Sequence, residues 1–218
     1  MKERTFMKKR IYCGIIVAIL LISLSTVLYI NTQYVFIERI NYNEEIGIID
    51  TYLNKSYEHL NYYSEFVSGD AEETHGDQLL NFVRDIGYKG KIHYYAAVTT
   101  DGDVETHKII DGLEWMLKSG IRHVNISLSS KIYSAELDSW IQAHPEISIY
   151  CSYNNLYNSV ADFPAMYDNV IASGSDSRIN YREQDHYYKS NQILVCGEKI
   201  TKYVGNSYLS IYTLLYQN

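Results

Sequence analysis

The chain has 218 residues, 19 basic and 26 acidic side chains for a formal charge of −7, and 23 tyrosines. Beyond residue 31 there remain 25 acidic and 14 basic side chains, a formal charge of −11, which argues against a nucleic-acid partner. Roughly 180 residues lie beyond that point, enough for one domain with a substantial core.

In chain order, Lys2, Arg4, Lys8, Lys9 and Arg10 make residues 1–10 a basic tail. Residues 11–30 are uncharged, and about twenty helical residues at about 1.5 Å each match the roughly 30 Å hydrocarbon core of a bilayer. This predicts an N-terminal transmembrane helix in a single-pass cell-membrane protein, with the tail cytoplasmic and the rest extracytoplasmic. A cleaved signal peptide is the competing reading, but its apolar run would be shorter and would end in a small-residue cleavage site, for which Ser23-Leu24-Ser25 is a poor match. Cys13 reads as an apolar filler of that segment. Residues 31–45 read as a connector, and residues 46–218 as the functional domain.

Within the domain, apolar strands are expected at Ile46 to Ile49, Lys91 to Val98, His123 to Leu128, Ile147 to Cys151, Asn169 to Ser173 and Gln192 to Cys196. Amphipathic helices are expected at Gly76 to Ile86, His107 to Lys118 and Ser134 to Ala143. The alternation predicts an α/β fold, a three-layer, mostly parallel sheet with helices on both faces. Ligands in such folds sit at the carboxyl ends of the strands. Gly174 to Asn191 reads as a loop excursion. Cys151 and Cys196 lie on expected strands, where a disulfide and two free buried thiols both remain open.

Three windows carry the chemistry: Asp50 in Gly47-Ile48-Ile49-Asp50-Thr51, His75 in Thr74-His75-Gly76, and Ser207 in Gly205-Asn206-Ser207. A hydroxyl becomes a useful nucleophile near neutral pH when an imidazole takes its proton, and a carboxylate holds that imidazole in the right tautomer. Asp50 falls just past its strand, on the edge where ligands are expected. The histidines at 59, 93, 107, 123, 144 and 186 follow no metal-ligand spacing, so no metal site is read.

These windows resemble those of the subtilisin-like serine proteases, the subtilases. Lys108 to Trp115 followed by Val124-Asn125-Ile126-Ser127-Leu128 is similar to the family's helix and substrate-binding strand. Ile147 to Asn154 resembles its oxyanion strand, and Phe163-Pro164-Ala165 through Asn169-Val170-Ile171-Ala172 its proline-containing turn and following strand. The resemblance runs from Ile46 to the C-terminus. It implies an Asp50, His75, Ser207 triad that hydrolyses peptide bonds, an oxyanion donor at Asn154 or Asn155, and a substrate edge at Ser127, Leu128, Ser129 and Ser130. It implies no required cofactor; calcium often stabilises relatives, but no loop for it is identified here.

The chain departs from the family pattern at several positions. Tyr52 replaces the glycine after Asp-Thr, Tyr208 and Leu209 follow Ser207, and Ser129 and Ser130 replace paired glycines. Ser152 and Tyr153 stand where small residues line the specificity pocket, and Tyr153 there would narrow or fill it. The alternative function is a pseudoprotease that keeps the fold to bind a peptide or partner at the membrane surface.

Overall fold

The computed structural model describes residues 2–64, 73–98, 104–155, 162–175, 182–188, 193–196, 199–200 and 203–217; at 2–11, 13, 31–34, 36, 175, 193–196 and 199–200 it describes the backbone alone. Helix α1 spans Lys2–Gln33 and passes without an intervening residue into strand β1, Tyr34–Ile37. Then follow β2 (Ile46–Asp50), β3 (Leu60–Tyr63), α2 (His75–Asp85), β4 (Ile92–Ala96), α3 (Thr106–Lys118), β5 (His123–Ile126), α4 (Ala135–Ala143), β6 (Ser148–Ser152), β7 (Val170–Ser175), β8 (His186–Tyr188), β9 (Ile193–Cys196), β10 (Lys199–Ile200) and α5 (Asn206–Gln217).

Seven strands form one sheet in the order β3-β4-β2-β5-β6-β7-β8, and every pairing in it is parallel. Strand alternation sends Ile46 and Ile48 of β2 to one face and Ile49 to the other. On the first face they meet Leu79, Leu80, Phe82 and Val83 of α2 with Leu209, Ile211 and Leu214 of α5. On the second face Ile49 joins Ile109, Leu113 and Met116 of α3 and Leu137 and Ile141 of α4. Two covered faces explain why these strands read as unbroken apolar runs.

Residues 206–215 of α5 are all buried, as expected of a helix enclosed on every side. Its polar residues meet polar positions on the strands. Asn125 Nδ2 donates to Ser210 Oγ at 2.8 Å, Ser127 Oγ donates to Asn125 Oδ1 at 2.8 Å, and Ser173 Oγ donates to Thr213 Oγ1 at 2.8 Å. Satisfied bonds of this kind fix the register of a buried helix.

Residues 31–45, read from sequence as a connector, include a strand. β1 pairs in parallel with β9, which also pairs with β10, in a separate three-stranded sheet. The segment expected at Gln192 to Cys196 therefore belongs to this second sheet, with Gln192 itself outside the described residues. Val35, Ile37 and Ile40 are buried in the α2–α5 core, Tyr212 Oη accepts from the Glu38 N–H at 3.0 Å, and Ile40 N–H donates to Ile86 O at 2.9 Å. A protein starting at Ile46 is expected to melt well below one starting at Tyr34, since each buried aliphatic side chain contributes about 1.5–3 kcal/mol. Thermal denaturation of the two lengths checks this.

Along α1 the side chains of Ile15, Ile16, Val17, Leu20, Leu21, Ile22 and Leu28 are all at least half exposed. Among the described residues no helix is long and apolar enough to cross a membrane. The continuous run of described side chains in α1 is 14–30, about 26 Å of helix. Cys151 is a buried free thiol, and the side chains of Cys13 and Cys196 lie outside the described residues.

Candidate active site

Asp50 ends β2 at the carboxyl edge of the sheet and is fully buried. Its Oδ1 accepts the Thr51 N–H at 2.7 Å and lies 2.7 Å from His75 Nδ1. The imidazole is about a third exposed, with a side-chain exposure of 35%. The Asp50 carboxylate holds the His75 pKa above its usual value, against burial, which pulls it down. Among the described residues Asp50 Oδ2 is buried with no hydrogen-bond partner, so the carboxylate's contact with the imidazole is confined to one oxygen.

His75 is placed by a tight junction between the loop after β2 and the start of α2. Thr74 is the N-cap: its side chain accepts from Asp77 N–H while the Asp77 carboxylate accepts from Thr74 N–H, a reciprocal capping box. Burial opposes ionisation of Asp77, but donors from Thr74, Asn54 and Tyr57 hold its pKa below the usual value. Gly76 N–H donates to Thr51 Oγ1 at 2.8 Å, and Tyr94 Oη donates to the Thr51 carbonyl at 2.6 Å. A Cβ on Gly76 would fall 1.9 Å from Tyr94 Oη and 2.9 Å from the Thr51 carbonyl, so glycine is required there. Asp50-Thr51 and His75-Gly76 are thus one interlocked unit.

Ser207 lies in the first turn of α5, 8% exposed, after Gly205 at φ +127°, a backbone conformation that favours glycine. Its carbonyl accepts from Ser210 Oγ at 2.9 Å and Ser127 Oγ at 3.3 Å. Tyr208, the next residue, packs with its ring 6.5 Å from the imidazole. Among the described residues Ser207 Oγ makes no hydrogen bond to His75.

The two asparagines separate in role. Asn155 Oδ1 accepts the Asn206 N–H at 2.8 Å and its amide lies against Gly205, fastening the start of α5. Asn154 is joined to the same helix through its carbonyl, which accepts from Asn206 Nδ2 at 2.9 Å; its own Nδ2 is buried.

Of the expected substrate edge, Ser127 is buried and turned into the α5 network, Leu128 is buried, and Ser129 is exposed. The β5 ladders end at Ile126, while Ser130 exchanges both backbone hydrogen bonds with Phe163 at 2.8 Å. Among the described residues no strand pairs with Ser127 to Ser129, of which only Ser129 is exposed. A hollow of about 10 Å³ lies beside Ser129, Ser130 and Phe163, and a larger cavity of about 390 Å³, near His144, Ser148 and Asp168, opens at the other, amino end of β6 and β7.

Ser152 is buried on β6. Tyr153 is 2% exposed, its ring against Gly174, its phenol donating to Asp185 Oδ2 at 2.5 Å. Asp185 also takes Ala172 N–H and the Arg182 guanidinium at 2.9 Å, and Arg182 reaches the carbonyls of Ala165, Tyr167 and Val170. This pair sits inside the segment read as a loop excursion; the Arg182-x-x-Asp185 spacing was the available signal. Among the described residues no group of His, Cys, Asp and Glu could hold a metal ion.

A parallel seven-stranded sheet between two helical layers, with a buried aspartate and its histidine at the carboxyl edge, defines a subtilisin-like α/β protein. No family model matches the chain. It is 26% identical over 192 residues to subtilisin DY of Bacillus licheniformis, an alignment covering 78% of this chain and 70% of that protein. The fold is similar to the self-cleaved protease domain of PatA (TM-score 0.54, 13% identity, covering 79% of this chain and 77% of that one). It is likewise similar to the prenylagaramide maturation protease PagA (TM-score 0.56, 14% identity, covering 79% and 73%). The sequence similarity to subtilisin DY supports a divergent subtilase-like chain with a serine-protease function, and the two solved structures support the fold.

Proposed function

We propose that the chain is a serine endopeptidase in which Ser207 Oγ attacks a peptide carbonyl, His75 carries the proton to the leaving amine, and Asp50 orients and stabilises the imidazolium. The observation that carries this reading is the part-buried 2.7 Å contact between Asp50 Oδ1 and His75 Nδ1 on the sheet edge from which α5 and Ser207 begin. Asn154, two residues past the end of β6, is taken as the side-chain oxyanion donor; Asn155, whose Oδ1 accepts the Asn206 N–H while its Nδ2 stays available to donate, is the alternative. Such a donor stabilises a transition state by about 3 kcal/mol. Substrate lies along Ser127 to Ser129 as an added strand. With Tyr153 buried and bound to Asp185, the side chain beside the scissile bond is small.

In this reading residues 11–30 anchor the protein in the cell membrane and hold the domain outside the cytoplasm, supported by their uncharged sequence and the exposed apolar side chains of α1. Incubation of the full chain with a fluorescent fluorophosphonate is expected to label it, and Ser207→Ala to abolish the label. An unlabelled wild type, or equal labelling of the two, removes the enzyme reading. The second reading, a pseudoprotease that binds peptides, is favoured by the filled position at Tyr153; it predicts peptide binding that survives both Ser207→Ala and His75→Ala.

A further inference from the structure

Tyr208 stands where the subtilase pattern has methionine, and its surroundings differ from those of a simple core filler. The residue is 5% exposed, and its phenol donates to Gln78 Oε1 at 3.1 Å. Its ring lies 6.5 Å from the His75 imidazole, 5.2 Å from Phe82 and 5.1 Å from Tyr203. Tyr203 in turn donates to Asp85 Oδ2 at 3.1 Å. His75, Gln78, Phe82 and Asp85 recur at three- and four-residue steps, so they lie along one face of α2. The first turn of α5 is therefore held to α2 by an aromatic cluster with a polar tie at each end. The tie nearest the imidazole is made by the residue next to Ser207.

We propose that Tyr208 is a positioning residue: seated against His75 and bonded to Gln78, it fixes the register between α2 and α5 and with it the approach of Ser207 Oγ to the imidazole. This rests on the serine-protease reading. Ser207 and His75 ride on different helices, and the Asp50 contact orients the imidazole without constraining α5. A displacement of about 1 Å between reacting groups can cost on the order of a hundredfold in rate. Burial, then the charges of Asp50 and Glu73, push the phenol's pKa up to about 12, so it remains a donor across the working range.

The test uses the full chain with the variants Tyr208→Phe, Gln78→Ala and both together, and reads fluorophosphonate labelling over a range of probe concentrations beside thermal unfolding. Tyr208→Phe keeps the ring and loses the tie. It is expected to lower the maximal labelling rate roughly tenfold while half-saturating probe concentration and melting temperature hold. Gln78→Ala should reproduce the loss, and the double variant should be no worse than either single one. Wild-type labelling by Tyr208→Phe, losses that follow the melting temperature, or additive losses in the double variant would overturn the proposal. If the wild type itself fails to label, the protease reading has failed, and the imidazole NMR signals of His75 judge the contact alone: unchanged signals in Tyr208→Phe and Gln78→Ala refute it.

Discussion

Asp50→Asn is expected to slow labelling of Ser207 by about 10⁴-fold while leaving the protein folded, the loss that this change produces in a Ser-His-Asp triad. Asparagine matches the carboxylate in shape, so the contact with His75 survives as a neutral hydrogen bond. It no longer selects the tautomer that leaves Nε2 free to accept a proton, and it no longer stabilises the imidazolium. The pH dependence sharpens the expectation. Asp50 raises the His75 pKa, and the base works only when neutral, so wild-type labelling should rise with pH through a midpoint above about 6.5. In Asp50→Asn that midpoint should fall, because burial, which opposes charge, is then unbalanced. The charged pair's contribution to stability has the opposite course: complete below about 6.5, it is lost as pH rises through the raised folded-state value. Labelling rates and melting temperatures measured from pH 5 to 9 on both proteins check each part, and an unchanged midpoint in the variant would contradict the role given to Asp50.

How much of this was legible in the sequence depended on whether the signal was local. The capping box of Thr74 and Asp77, and the apolar spacing of Leu79, Leu80 and Val83, announce α2 without reference to the rest of the chain. β2 and β6 read as strands because both their faces are covered. The edge strands lacked that signature: β3 is half-buried Leu60-Asn61 followed by exposed Tyr62-Tyr63, and β8 has only three residues. β1 was hidden because its four residues follow the long apolar run of α1 after only Asn31, Thr32 and Gln33. The windows around Asp50 and His75 were visible as motifs, yet the lock between them is tertiary: Gly76 is needed because Tyr94 and the Thr51 carbonyl crowd it from other elements.

The Arg182–Asp185 pair shows what a polar stretch conceals. Asp185→Ala is expected to destabilise the domain by about 3–5 kcal/mol, because removing one partner strands the other in a desolvated site. The Asp185 side chain is fully buried and Arg182 about a fifth exposed. Without the carboxylate, the guanidinium keeps its contacts to the carbonyls of Ala165, Tyr167 and Val170 but loses its counter-charge, and the Tyr153 phenol and Ala172 N–H lose an acceptor. Burial opposes ionisation of Asp185, yet Arg182 and Tyr153 hold its pKa below the usual carboxylate value. That stabilisation is complete above about pH 3.9 and lost as pH falls through the lower folded-state value. Urea denaturation at pH 7 and pH 3 should therefore show a wild-type advantage over Asp185→Ala that shrinks in acid. Because Tyr153 precedes Asn154 in the chain, the same variant should free the phenol beside the proposed oxyanion donor. If the wild type cleaves peptides, Asp185→Ala should then accept larger side chains beside the scissile bond, and an unaltered preference would separate the stability of this pair from any part in substrate choice.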